Sequence, residues 1–229
     1  PILMYHRISP QSHAGYRRYT VTPEAFDKQM QYLRDAGFYG INLQTWQMAM
    51  AEHRPLPGRA VLITFDDAYT DFMEHAWPLL QRHGFPATLF VVAEETGGRN
   101  RWDRFLDEPL PLLSWEDLRR LRTEGLEIGS HSATHRRLTA ISPSQVVREA
   151  IRSRIILKQK LGESTPALAY PYGSSNGLVH HLVGACGYTF GLTCQGRRAG
   201  LWDSLLALPR IEIRGDEDFA DFVLKLEGE

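Results

Sequence analysis

Cysteine is scarce: the 229 residues hold two, Cys186 and Cys194. Between them runs Tyr188-Thr189-Phe190-Gly191-Leu192-Thr193, which reads as a strand. An extended stretch of that length holds its ends roughly 20 Å apart, whereas a disulfide needs Cα atoms within about 7 Å. No bridge is expected, so cysteine usage does not decide the redox compartment. Neither cysteine sits in a Cys-x-x-Cys pair, which argues against a cysteine-based metal site. No apolar run is long enough to span a membrane. An excess of charge is missing too: 26 Lys and Arg stand against 27 Asp and Glu, a formal net charge of −1. That balance gives no reason to expect nucleic acid as a partner. Internal repeats, low-complexity tracts and linkers are absent. No signal peptide is visible. The chain opens directly on Pro1-Ile2-Leu3-Met4-Tyr5-His6, itself strand-like. A trimmed start is therefore expected, and the missing leader says nothing about compartment.

What is present is a chain of ordinary globular composition, long enough for one large α/β domain over residues 1–229. Strand-like and helix-like segments alternate throughout. Strands are expected at 1–6, 39–43, 61–67, 86–92, 126–129, 167–170, 188–194 and 206–213. Between them, Thr22-Pro23 opens a helix whose face is Phe26, Met30 and Leu33, and Ser114 caps another with Asp117 three residues on. Ser142-Pro143-Ser144-Gln145 opens a third, with Val147, Ile151 and Ile155 as its apolar stripe. Further helices are expected at about 45–53, 70–83, 178–185 and 217–226, and a turn at Pro55-Leu56-Pro57-Gly58. Regular β-then-α alternation argues for parallel strands, most simply a barrel. A doubly wound open sheet is the alternative; its Gly-x-Gly-x-x-Gly phosphate turn is absent.

One stretch stands out, Val61-Leu62-Ile63-Thr64-Phe65-Asp66-Asp67. A buried apolar strand ends abruptly in two adjacent carboxylates. A carboxylate taken out of water needs a cation or hydrogen-bond donors, and a metal ion is the expected relief. His131 ends another predicted strand, with His135 four residues later. His6 ends the first strand, and Tyr172 follows Tyr170-Pro171. In a β/α barrel these strand ends share one face, where chemistry sits. A lone His or an Asp-Asp pair is more often structural. Brought together, two histidines and a carboxylate suit Zn²⁺ or a similar divalent ion, with positions left open for water and substrate.

Three segments carry a family resemblance: Thr64-Phe65-Asp66-Asp67, Ser130-His131-Ser132-Ala133-Thr134-His135, and Tyr170-Pro171-Tyr172-Gly173. They resemble the first three motifs of the polysaccharide deacetylases, the NodB-homology fold of carbohydrate esterase family 4. The resemblance implies a distorted (β/α)7, TIM-like barrel and metal-dependent removal of acetyl groups from polysaccharides. It implies Asp67, His131 and His135 as metal ligands, with zinc first and cobalt or nickel as alternatives. It implies Asp66 as catalytic base, and the backbone N–H of Tyr172 as a donor to the oxyanion.

Two features depart from the family pattern. The Arg expected three residues before Tyr172 is Ala169, and Arg210 is the candidate substitute. The usual C-terminal Leu-x-His, home of the catalytic acid, is missing. Leu3-Met4-Tyr5-His6 looks like that motif moved to the other end, which makes His6 the candidate acid. The arrangement resembles the circularly permuted branch acting on poly-β-1,6-N-acetylglucosamine. Trp102, Asp103, Tyr170 and Tyr172 are candidate sugar contacts, although a Trp packed beneath its own loop is an equally good account of Trp102. The resemblance further implies a polysaccharide partner and an extracytoplasmic setting, in the periplasm or at the cell surface, and a monomer is expected. A glycoside hydrolase and a catalytically silent carbohydrate-binding barrel are the rival readings. The first needs two carboxylates at least about 5 Å apart across a sugar, which adjacent Asp66 and Asp67 do not offer.

Overall fold

The structure, a computed structural model, describes residues 1–56, 58–200 and 202–228. The turn expected at 55–58 includes Pro57, which lies outside the described residues. Eight parallel strands form the main sheet among the described residues. β1 (Ile2–Tyr5) lies beside β5 (Arg59–Phe65), and β6 (Thr88–Val91), β7 (Glu127–Ser130), β8 (Ala167–Ala169) and β9 (Phe190–Leu192) follow in order. β10 (Ile211–Glu212) covers the other edge of β1, with Leu3 opposite Ile211. β4 (Phe38–Ile41) pairs the first half of β5, and β6 pairs its last residues. A parallel bridge from Leu192 to Leu208 joins the segment before β10 to β9. The sheet thereby curls round on itself as a distorted barrel of seven strands, with β4 to one side. Two short strands, β2 (Arg7–Ile8) and β3 (Thr20–Val21), pair separately.

The helices with a Ser or Thr cap and a Pro or acid behind it begin where the sequence signals place them. In α1 (Pro23–Asp35) the Thr22 hydroxyl accepts from the Ala25 N–H, and Phe26, Met30 and Leu33 are buried. α2 (Leu43–Ala51) starts two residues earlier than expected, because the Asn42 side chain caps it. α3 (Trp77–His83) is preceded by a widened π turn, Phe72–Ala76. Pro78 has no N–H to give to the residue four back, so the ladder there shifts. α4 (Trp115–Thr123) and α5 (Pro143–Leu161) both carry full capping boxes, Ser114 with Asp117 and Ser142 with Gln145. α6 (Gly177–Ala185) and α7 (Phe219–Glu227) complete the set.

Strand alternation sets two cores. Leu3, Tyr5, Ile63, Phe65, Leu89 and Val91 point outward and pack against Phe26, Met30, Leu118 and Phe222 of the surrounding helices. Ile2, Leu62, Phe90, Ala167, Phe190 and Leu208 fill the barrel interior. Leu62, Thr64 and Asp66 therefore continue one inward-facing series.

Two expectations fail. The strand expected over 206–213 shrinks to Ile211–Glu212, after a 3-10 turn at Leu205–Ala207. Pro209 cannot donate to a ladder. The apolar stripe Val147, Ile151, Ile155 is not the buried face of α5. Ile151 and Ile155 are 42% and 49% exposed, while Val146, Glu149, Ala150, Ser153 and Leu157 are buried.

Candidate active site and metal centre

The carboxyl ends of the strands surround a cleft of about 260 Å³. His6, Asp66, Asp67, His131, His135, Asp103 and Tyr172 all line it. They come from four strand ends and the long loop after β6. A larger cavity of about 500 Å³ opens beside Gln44, Arg122, Glu127 and Thr165, and none of the candidate site residues reaches it.

Asp67, His131 and His135 are all buried, and one potential ligand atom from each lies within 4.8 Å of the others. Asp67 Oδ1 sits 3.5 Å from His131 Nε2 and 3.3 Å from His135 Nε2. It has no hydrogen-bond partner despite complete burial. The His131 Nδ1–H donates to the Ala169 carbonyl at 2.8 Å. That bond leaves the Nε2 lone pair facing Asp67, the arrangement a metal-binding imidazole requires. Burial pushes the His131 imidazole down to about 4 against the pull of Asp66 and Asp67. It is then neutral near pH 7, as a ligand must be. An orphaned carboxylate oxygen facing two imidazoles matches, in donor type and spacing, what a divalent ion takes, so the residues fit such an ion.

Asp66 has a separate partner. Arg210, fully buried, donates through Nη1 to Oδ1 and through Nη2 to Oδ2, both at 2.7 Å. Its Nε donates to the Thr193 carbonyl at 3.0 Å. Burial alone would raise the Asp66 carboxyl, but Arg210, then His131, outweigh it and hold it well below the usual carboxylate range. The chain reaches this geometry through strain. Asp67 and Ala68 have φ of +75° and +63°, a region that side chains rarely adopt. Such strain at a carboxylate pair is characteristic of functional sites.

The polysaccharide deacetylase family model matches residues 53–191. The chain belongs to that family. The deacetylase PplD of Streptococcus pyogenes, solved with acetate, has a similar structure at a TM-score of 0.84 and 27% identity, covering 99% of this chain and 97% of that one. IcaB from Ammonifex degensii gives 0.80 and 25%, covering 98% and 94%. The poly-β-1,6-N-acetyl-D-glucosamine N-deacetylase of Staphylococcus aureus strain MSSA476 is 23% identical over 248 residues, 99% of this chain and 82% of its own. The fold is the NodB-type barrel of these deacetylases, and the chain is a polysaccharide deacetylase by family.

The remaining candidates of this deacetylase divide sharply. His6 borders the cleft with its ring edge against Tyr19, centroids 5.0 Å apart. Tyr172 has φ +59° and places its ring edge on His135 at 4.6 Å, with Arg137 over its face at 4.2 Å. Asp103 borders the cleft, half-buried. Trp102 stacks one face of its ring on His135 at 4.4 Å and 23°. Tyr170 needs correction as a sugar contact. It is fully buried among Leu168, Val179 and Val183, with its hydroxyl on the Leu206 carbonyl at 2.8 Å. Strand alternation turns it away from the barrel axis. Both cysteines are free. Cys194 borders the cleft, and Glu149 holds the histidine turn from behind; no local motif marks either of them.

Proposed function

We propose that this chain is a metal-dependent hydrolase that removes acetyl groups from N-acetylglucosamine units of a polysaccharide, poly-β-1,6-N-acetylglucosamine or a related cell-surface glycan. The observation that carries the reading is the buried Asp67–His131–His135 set, its orphaned oxygen facing the same cleft as the Arg210-held Asp66. Zinc is the expected ion, with cobalt or nickel able to replace it. When bound, such an ion would polarise a carbonyl oxygen and acidify water.

The chain's own residues supply the proton transfers. Asp66 is ionised and oriented by Arg210, so it takes a proton from the attacking water. His6, bordering the same cleft, gives a proton to the leaving amine. The C–N bond breaks, and acetate and a free amine leave. The backbone N–H of Tyr172 holds the oxyanion, and Asp103 and the Tyr172 side chain contact the sugar. The name of the S. aureus relative supports a poly-N-acetylglucosamine substrate, and we infer an extracytoplasmic setting, where a cell-surface glycan would be met. No described helix is long and apolar enough to cross a membrane. A monomer is sufficient for this chemistry, since all the named groups come from one chain.

The glycoside hydrolase reading has no support in the geometry, because adjacent Asp66 and Asp67 sit on one wall of the cleft and leave the histidines without a role. Against a silent barrel, Arg210 pairs with Asp66 and supplies the cation that Ala169 does not.

The test is release of acetate from a panel of N-acetylglucosamine polymers. Release should depend on added metal and stop with chelator. His6→Ala should keep the metal yet lose roughly 10²–10⁴-fold in rate, the usual worth of a positioned acid. New reducing ends without acetate would overturn the reading, and full amide-hydrolysing activity in His6→Ala would place the acid elsewhere.

A further inference from the structure

Helix α5 departs from the pattern of an amphipathic helix. It leaves Ile151 and Ile155 facing solvent and buries Glu149 and Ser153, at 7% and 0% exposure. A buried carboxylate needs donors, and Glu149 has three. Its Oε2 accepts from the backbone N–H of Ala133 at 3.0 Å and of Thr134 at 2.8 Å. Its Oε1 accepts from the Thr134 hydroxyl at 2.6 Å. One helical turn further on, the Ser153 hydroxyl meets the Ser130 hydroxyl at 3.0 Å and Tyr188 at 2.8 Å. Residues four apart lie on one face of a helix. That face thus holds the chain on both sides of His131.

The segment held in this way is under strain. Ser132 and His135 have φ of +65° and +60°. The turn uses its own hydroxyls as well: Ser130 Oγ accepts from the Ser132 N–H at 3.2 Å, and Ser132 Oγ from the His135 N–H at 3.0 Å. These bonds leave the N–H groups of Ala133 and Thr134 pointing toward α5, where only Glu149 receives them. Among the described residues, Glu149's hydrogen bonds go to Ala133 and Thr134, neither of which lines the cleft. Its contact is with the backbone that fixes the spacing of His131 and His135.

We propose that Glu149 is a positioning residue for the metal centre: α5 grips the His131–His135 turn and sets the distance between the two imidazoles. The inference rests on the metal reading above and goes beyond it, because it places a determinant of metal affinity on a helix outside the cleft. It also accounts for the buried face of α5, where polar contacts to the turn took the place that the Ile151–Ile155 stripe would have filled. Local sequence rules tend to break at such functional positions.

The experiment measures Zn²⁺ affinity of the full chain by chelator competition, for wild type, Glu149→Ala, Glu149→Gln and Thr134→Val. Thermal unfolding of each metal-free form is followed alongside. Glu149→Ala should bind zinc about 10–100-fold more weakly, the usual effect of losing an outer partner. Glu149→Gln should recover most of that loss, because its amide oxygen still accepts both N–H groups and its NH2 can donate to the Thr134 hydroxyl. Metal-free Glu149→Gln should melt like wild type. Zinc binding by Glu149→Ala as tight as wild type overturns the proposal, as does Glu149→Gln binding as weakly as Glu149→Ala. Should Glu149→Ala not fold, Thr134→Val decides: a weaker site supports the grip, and an unchanged one overturns it. A wild type that binds no zinc would remove the metal reading itself, and the grip with it.

Discussion

Arg210 and Asp66 meet fork to fork, Nη1 and Nη2 each donating to one carboxylate oxygen at 2.7 Å across 144 residues of chain. Neither has measurable contact with solvent beyond 2%. Arg210 also reaches Thr64 Oγ1 at 3.2 Å and lies over the Phe90 ring. The pair closes the barrel electrostatically where Pro209 and the short β10 leave few ladder bonds. It also keeps the candidate base charged and aimed.

Arg210→Ala should therefore destabilise the fold by about 3–5 kcal/mol, the usual cost of leaving a buried charge without its partner. Arg210→Lys should recover only part, because an ammonium cannot match the planar fork. Adding Asp66→Asn to Arg210→Ala should restore some stability by removing the stranded charge. Urea denaturation midpoints read all three. A midpoint for Arg210→Ala equal to wild type would show that the pair contributes nothing to the fold.

The two adjacent acids should separate by function. Asp66→Asn should keep its metal and lose most acetate release, since an amide cannot accept the proton. Asp67→Asn should lose metal affinity first, because its Oδ1 is the oxygen left without a partner. Metal content by elemental analysis, beside activity, distinguishes them. Equal metal loss in both variants would mean that the roles are divided wrongly.

Asp103 offers a pH handle on the cleft. Burial, and then the negative charge of Asp67, push its carboxyl up to about 6. An unfolded Asp titrates near about 3.9. The folded metal-free protein thus holds this proton more tightly than the unfolded chain does. Its contribution to stability is present below about 3.9 and is lost as pH rises through about 6. Trp102, next in sequence and stacked on His135, reports the change. The fluorescence difference between metal-free wild type and Asp103→Asn should titrate near pH 6. Zinc beside Asp67 should move that midpoint lower by cancelling part of its cause. A flat difference across that range, or a midpoint that rises with zinc, would count against Asp103 facing the ligand set.

Much of the site was legible because it is local. An apolar strand that ends in Asp66-Asp67 must dispose of two carboxylates, and two histidines spaced like His131 and His135 at a strand end supply partners for an ion. Capping residues such as Thr22, Ser114 and Ser142 act within three residues, so their helices start where the sequence says. Tyr170 opens the third motif in the sequence, yet strand alternation turns its ring into the α5–α6 core. Trp102 had two equal readings in the sequence. Only the fold laid its ring on His135.

The sequence by itself determined the alternating α/β architecture and the strand ends that carry the chemistry, since these follow from periodicity and short-range hydrogen bonding, and its motif resemblance supplied the identity of the candidate ligands. Tertiary structure alone decided that Arg210 faces Asp66, that α5 turns Glu149 inward and two isoleucines outward, and that Asp67 Oδ1 is left without a donor. Each of these depends on what lies opposite a residue across the barrel, and neither spacing nor composition records that. A buried charge is satisfied by whatever partner the closed fold brings within about 3 Å, however far away it lies in the chain.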